Sequence, residues 1–146
     1  MYFWDIFLAY KMNTFPKQEH LYGEKIITRL YEQGNVFMSY PFRVVYILAE
    51  ENEGIPVRVM VSVPKKRFKL AVKRNKIKRL TREVYRLNKS EFVSFACINQ
   101  LKIHIAFQYI SNDIESFEVL SRKMKNTLQK LMHIFEEQQK QPDENA

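Results

Sequence analysis

The chain has 146 residues and a single cysteine, Cys97. One thiol cannot close an intramolecular disulfide, and it cannot build a cysteine-rich zinc site. It lies in the apolar run Phe95-Ala96-Cys97-Ile98, where a small buried thiol is expected rather than a nucleophile. A reducing, cytoplasmic setting suits that usage. Only three glycines and five prolines interrupt the chain. This excludes a low-complexity sequence and leaves no glycine loop to cradle a phosphate. There is no H-E-x-x-H motif and no carboxylate cluster suited to two metals, so neither a nuclease centre of the chain's own nor an organic cofactor is expected. Long apolar runs are also missing. Residues Met1 to Tyr10 are apolar and aromatic but too short to span a bilayer. They lack the basic start and small-residue cleavage site of a secretory signal, and no membrane partner is expected. Met12 precedes a more ordinary beginning, Asn13-Thr14-Phe15-Pro16-Lys17. Residues 1–12 are therefore read as an N-terminal extension: either translation starts at Met12 and omits residues 1–11, or the extra residues form a loose arm.

What is present suits one domain. The hydrophobic share is 46% and the aromatic share 14%, enough for a packed core. Glu24 to Gln33 reads as a helix closed by Gly34, with Ile26, Ile27, Leu30 and Tyr31 on one face. Tyr40 to Ala49 alternates as a strand, with Phe42, Val44 and Tyr46 on one side. After the polar turn Glu50 to Gly54, Pro56 to Val63 forms a second strand, and the simplest reading pairs the two as antiparallel neighbours. A basic loop and a helix from about Val72 to Leu87 follow. Leu101 to Tyr109 is a further strand, with His104 on its polar side as an ordinary surface residue. Ser116 to Phe135 is a long amphipathic helix with the stripe Phe117, Leu120, Met124, Leu128, Leu131, Phe135. The domain is thus placed at residues 13–135, and residues 136–146 are expected to be a disordered polar tail. The class is α+β, with helices packed on a sheet.

The formal charge is +8, from 24 Lys and Arg against 16 Asp and Glu. The excess is concentrated. Twelve of the 25 residues from Lys65 to Lys89 are basic, and the one acid among them is Glu83. At about 100° per residue, Ile77, Leu80, Val84 and Leu87 share one sector of the helix. Arg74, Lys78, Arg82 and Arg86 form a row on the far side, with Asn75 and Arg79 beside it. Like charges four apart destabilise a helix by roughly 0.2–0.5 kcal/mol per pair. A solvated charged face normally mixes both signs. Segregated cations point instead to a polyanion whose phosphates neutralise them. The helix lacks Trp or Phe on its apolar edge, which disfavours a membrane surface. No second helix precedes it at helix-turn-helix spacing, which disfavours a DNA regulator.

The run Val61-Ser62-Val63-Pro64-Lys65-Lys66, followed by Ala71-Val72-Lys73-Arg74-Asn75-Lys76-Ile77-Lys78-Arg79-Leu80-Thr81-Arg82-Glu83, resembles the signature of the bacterial ribonuclease P protein component. The likeness extends in element order from about Phe15 to Phe135. Lys76 stands where the family usually has arginine, and Pro64 where it has serine. The resemblance implies a protein that joins a catalytic RNA and helps remove the 5′ leader of precursor tRNA. The RNA would carry the active site and most of the Mg2+, the protein would be inactive alone, and it would be a monomer in the holoenzyme. It implies RNA contacts at Lys65, Lys66, Lys69, Arg74, Asn75, Lys76, Lys78, Arg79, Arg82 and Arg86. It also implies a leader cleft between the first helix, the sheet and the basic helix. Ile27 and Tyr31 take the places of the family's paired aromatics there, and Phe42 and Tyr46 are further candidates; core packing is the other reading of Ile27, Phe42 and Tyr46. The implied fold is a single-domain α/β sandwich, with about four mainly antiparallel strands and three helices (ribosomal protein S5 domain 2-like). Its β-α-β crossover through the basic helix would be left-handed, against the general right-handed rule. A ribosomal or ribosome-assembly protein without catalytic role is the alternative, since it would share the basic face.

Overall fold

The computed structural model describes residues 14–140. The N-terminal extension, with the expectation about Met12, and residues 141–146 of the tail lie outside the described residues. Helix α1 runs Glu24–Gln33, with the bounds its apolar face predicts. Strands β1 (Asn35–Ser39) and β2 (Phe42–Leu48) form an antiparallel hairpin. Strand β3 (Val57–Ser62) leads through the basic loop into helix α2 (Ala71–Asn88). Helix α3 (Ser90–Ile98), strand β4 (Ile103–Tyr109) and helix α4 (Phe117–Lys140) complete the order.

The sheet order is β1-β2-β4-β3. The expected pairing of the second and third strands is therefore wrong: β4 lies between them, antiparallel to β2 and parallel to β3. A parallel pair cannot be joined by a tight turn. The chain from β3 to β4 must cross a face of the sheet, and α2 and α3 form that crossover. Two elements escaped the sequence reading. β1 is short and its Val36 and Met38 are exposed, so it offers no buried alternation. α3 is so apolar that no polar face marks its period, yet Phe92, Val93 and Ala96 are buried. Half-buried Cys97 lies beside them. At the other end α4 continues to Lys140, so 136–140 are helix rather than disordered tail.

The sheet separates two apolar layers. Phe42, Val44, Tyr46, Ile105, Phe107 and Tyr109 face the layer that holds Ile77, Val84, Tyr85, Phe92, Leu120, Met124, Leu128 and Phe135 of the three later helices. On the opposite face Leu30 of α1 packs with Val45, Ala106 and Leu21. Each such side chain contributes about 1.5–3 kcal/mol on full burial. The chain between Phe15 and Leu21 wraps the outer edge of β3. Leu21 N–H donates to Val59 O at 2.9 Å, which covers an edge that would otherwise invite pairing. This strap is locked by the buried pair Lys89 Nζ–Glu19 Oε1, 2.6 Å. Lys89 is thus removed from the basic surface that the sequence assigned it to.

His104 is likewise not a surface residue. Only 5% exposed, it donates from Nε2 to Asn52 Oδ1 at 2.8 Å, and Asn52 donates in turn to Ile55 O. Burial first, then Arg58 and Arg29, lowers its pKa to about 4. The ring is neutral in the folded state and must charge on unfolding below about 6.5. Stability from this group is therefore present above that pH and lost as pH falls toward 4. Urea titrations from pH 7 to 4 should show a loss on the order of 2 kcal/mol that His104→Gln largely abolishes. An equal loss in the variant would remove His104 as its source.

Gly34 closes α1 for a reason other than left-handed backbone: its φ is −74°. A Cβ there would lie 2.3 Å from Leu30 O and 3.1 Å from both Tyr46 O and Val45 Cγ1. The helix end and the strand approach too closely for a side chain. Gly34→Ala should cost about 1–3 kcal/mol in chemical denaturation, whereas an unchanged midpoint would show that the junction relaxes freely.

Candidate nucleic-acid interface

Helix α2 buries Ile77, Thr81, Val84 and Tyr85. The stripe is rotated from the one predicted. Leu80 is half-buried and Leu87 is 44% exposed, while Thr81 hides its hydroxyl by donating to Ile77 O at 2.8 Å. The helix packs on α4 as well as on the sheet, and Tyr85 turns inward against Phe107 of β4. The cations still lie outward, but they are not equivalent. Arg74 Nη1 donates to Phe68 O and Lys69 O, both at 2.8 Å, and so staples the basic loop to the helix start. Arg86 grips Glu83 with Nε and Nη2, and that bond holds the Glu83 carboxyl below its usual pKa. Among the described residues Lys78, Arg79 and Arg82 make no ion pair. Asn75, Lys76, Arg79 and Arg82 are exposed, as are Lys65, Lys66 and Lys69 of the loop. Arg67, also exposed, reaches Asn112 Oδ1 at 2.9 Å and ties the loop to the segment after β4. The result is a cation surface open to phosphates, with Arg74 and Arg86 partly committed to holding it in shape.

The expected cleft is arranged differently. Helices α1 and α2 lie on opposite faces of the sheet, so the basic helix cannot form a wall opposite α1. Phe42 is fully buried and Tyr46 is 7% exposed, both in the core beneath α2 and α4. Neither can meet a base. Successive strand residues point to opposite faces, and the α1 face belongs to the other phase, Arg43, Val45 and Ile47. Registered across that face lie Met38, Arg43, Gln108 and Ser62. Arg43 Nη1 donates to Gln108 Oε1, and Gln108 Nε2 donates to Tyr31 Oη at 3.2 Å. Tyr31 is 38% exposed, Ile27 is half-buried, and Tyr40 of the β1–β2 turn is 56% exposed. The trough therefore has α1 and the sheet as walls, Tyr31 as its aromatic, Arg43 as its cation, and the basic loop at the end where Ser62 leaves β3. Arg43 and Gln108 were missed because aromatic character was weighed above strand phase.

Among the described residues no group of three or more His, Cys, Asp or Glu side chains could hold a metal ion, and no helix is long and apolar enough to cross a membrane. The two exposed features described are the cation surface of α2 with its loop and the polar trough beside α1.

The family model for ribonuclease P matches residues 15–132. This chain belongs to the ribonuclease P protein family. The ribonuclease P protein component of Porphyromonas gingivalis is 41% identical over 112 residues, covering 77% of this chain and 82% of that one. That of Chlorobaculum tepidum is 39% identical over 83 residues, 55% and 54% of the two chains. The solved ribonuclease P protein of Thermotoga maritima superposes with a TM-score of 0.60 at 20% identity, over 77% of this chain and 96% of that one. The Staphylococcus aureus protein gives 0.53 at 24%, over 80% and 94%. At such identities the structures show a shared fold. As a ribonuclease P protein the chain is part of an endoribonuclease that processes tRNA and partners the ribonuclease P RNA. The ribosomal alternative has no support from these relatives.

Arg74→Ala should loosen the loop Lys65–Lys69 before it affects anything else. Amide exchange in that loop should quicken several-fold while α2 beyond Lys78 stays protected. Unchanged exchange would mean that Pro64 and buried Phe68 hold the loop unaided.

Proposed function

We propose that this ribonuclease P protein binds the RNA subunit through the outward cations of α2 and its loop, and receives the single-stranded 5′ leader of precursor tRNA in the trough beside α1. The observation that carries the first half is the segregation of cations: Lys78, Arg79 and Arg82 are exposed or half-buried and make no ion pair among the described residues. Each phosphate so neutralised adds salt-dependent affinity, and arginine forks hold phosphate bidentately. The second half rests on the accessible Tyr31 ring of α1 and the Arg43 guanidinium, joined through Gln108 on the same face of the sheet. A stacked base gains about 1–3 kcal/mol on an aromatic ring, and the adjacent cation takes the backbone. Phosphodiester hydrolysis is assigned to the RNA with Mg2+ that the RNA mainly holds. The protein contributes binding, as a monomer in a cytoplasmic holoenzyme, and does not cleave alone.

Reconstitution with the organism's ribonuclease P RNA, assayed for leader removal at low magnesium, tests this reading. Leader removal should require the RNA, and cleavage by the purified protein alone would refute it. Tyr31→Ala should weaken precursor binding by about tenfold and leave mature tRNA binding unchanged. Equal losses for the two would take Tyr31 out of the leader site.

A further inference from the structure

A hollow of about 380 Å³ opens on the cation face of α2, lined by Asn75, Lys78, Arg79, Arg82, Arg86 and Phe15. Glu83 also reaches its rim. Phe15 packs partly against the main core, and the rest of its ring lines this hollow, where it adds nothing to a phosphate contact. Its neighbours fix its position. His20 stacks on it with centroids 4.0 Å apart and 17° between the planes. His20 Nε2 lies 3.3 Å from Phe15 O. Tyr85 meets the ring edge-on at 5.2 Å, and the Lys89 ammonium lies 5.8 Å from its centroid. The short 3-10 turn Lys17–Glu19 and the Glu19–Lys89 pair hold this strap down. The ring is thus immobilised before any ligand arrives, which lowers the entropy cost of binding.

We propose that this hollow is a nucleotide pocket, separate from the leader trough: it takes one unpaired RNA nucleotide, its base against Phe15 and its phosphate on Arg79 and Arg82. The assignment rests on the cation face binding RNA, as argued above, and specifies a subsite within it. Two features fit a nucleotide and not a bare phosphate. The volume exceeds that of a phosphate and suits a base with its sugar. The apolar wall and the cation wall face one space, as the two ends of a nucleotide require. Glu83 engages Arg86, so the fork of Arg86 is turned aside and Arg79 and Arg82 remain for the phosphate. Asn75 supplies a donor and an acceptor within reach of a base edge. Duplex RNA cannot use such a hollow, because its bases are stacked and its deep groove closed. Only a bulged, looped or terminal nucleotide can. The nucleotide belongs either to the RNA subunit or to precursor tRNA, and the two sources share this chemistry.

The test uses the full-length protein and the reconstituted holoenzyme, with two binding arms. One measures affinity for the ribonuclease P RNA alone, the other affinity of the assembled holoenzyme for precursor tRNA, each across a salt series. Phe15→Leu should weaken one arm by about two- to tenfold with an unchanged salt slope, and Phe15→Tyr should restore it. The arm affected names the source. Arg82→Gln should flatten the slope. Ultraviolet crosslinking of the wild-type holoenzyme, read by mass spectrometry, should join Phe15 to one nucleotide, and this measurement stands even if Phe15→Leu folds poorly. Affinities within twofold in both arms, with no crosslink at Phe15, would overturn the pocket. So would a Phe15→Leu defect that changes the salt slope, since the ring would then only position cations. In either case a flattened slope for Arg82→Gln leaves the phosphate interface standing. An unchanged slope there brings down the parent reading instead.

Discussion

The docking of α2 by its inner stripe, Ile77, Thr81, Val84 and Tyr85, is the contact on which the functional face depends. A helix carrying so many cations and one acid is disfavoured as an isolated helix, because like charges four apart repel. Most helical stability in proteins comes from packing an apolar face. Here that packing is generous. Tyr85 is wholly buried and meets Phe107 at 6.0 Å between centroids, while α4 supports the same helix from the side. The core holds the helix in place and leaves Lys78, Arg79 and Arg82, which make no ion pair among the described residues, on its outer side.

Topology then decides what lies near that face. Because β3 and β4 are parallel, the chain between them must cross the sheet, and α2 is the first helix of that crossover. The loop that begins it leaves from the end of β3, beside the trough on the opposite face. The strap around Glu19 runs round the β3 edge to the same helix from the other direction. One buried ion pair, Glu19–Lys89, fastens it. Removing one partner of such a pair typically costs about 3–5 kcal/mol, since the other charge is left buried. A lysine that reads as one more cation in the sequence is therefore a tether, and it is what sets Phe15 among the arginines.

The sequence was legible where one period dominated. α1 follows from its apolar face with the observed bounds, and the basic helix from its charge row. β2, β3 and β4 were each recognisable by alternation. Their order was not, because local alternation says nothing about which strand lies between two others. α3 was hidden by being apolar all round. The outward cations were visible as residues, but their division of labour was not: Arg74 staples a loop and Arg86 holds Glu83 through contacts with no sequence pattern. The trough was misread at Phe42 and Tyr46 because their aromatic character suggested stacking, whereas strand phase places them in the core and Arg43 in the open. His104 was misread for the converse reason. A polar residue in a central strand looked exposed, but both faces of β4 are covered.

The central claim is that the free cations of α2 neutralise phosphates of the ribonuclease P RNA. Its most direct measurement is the salt dependence of that affinity for the wild-type protein and for the triple variant Lys78→Gln, Arg79→Gln, Arg82→Gln. The slope of log K against log salt should fall by about 2–3 in the variant, reflecting roughly 0.7–0.9 per lost phosphate contact. A variant that folds as the wild type and keeps the full slope would contradict the account.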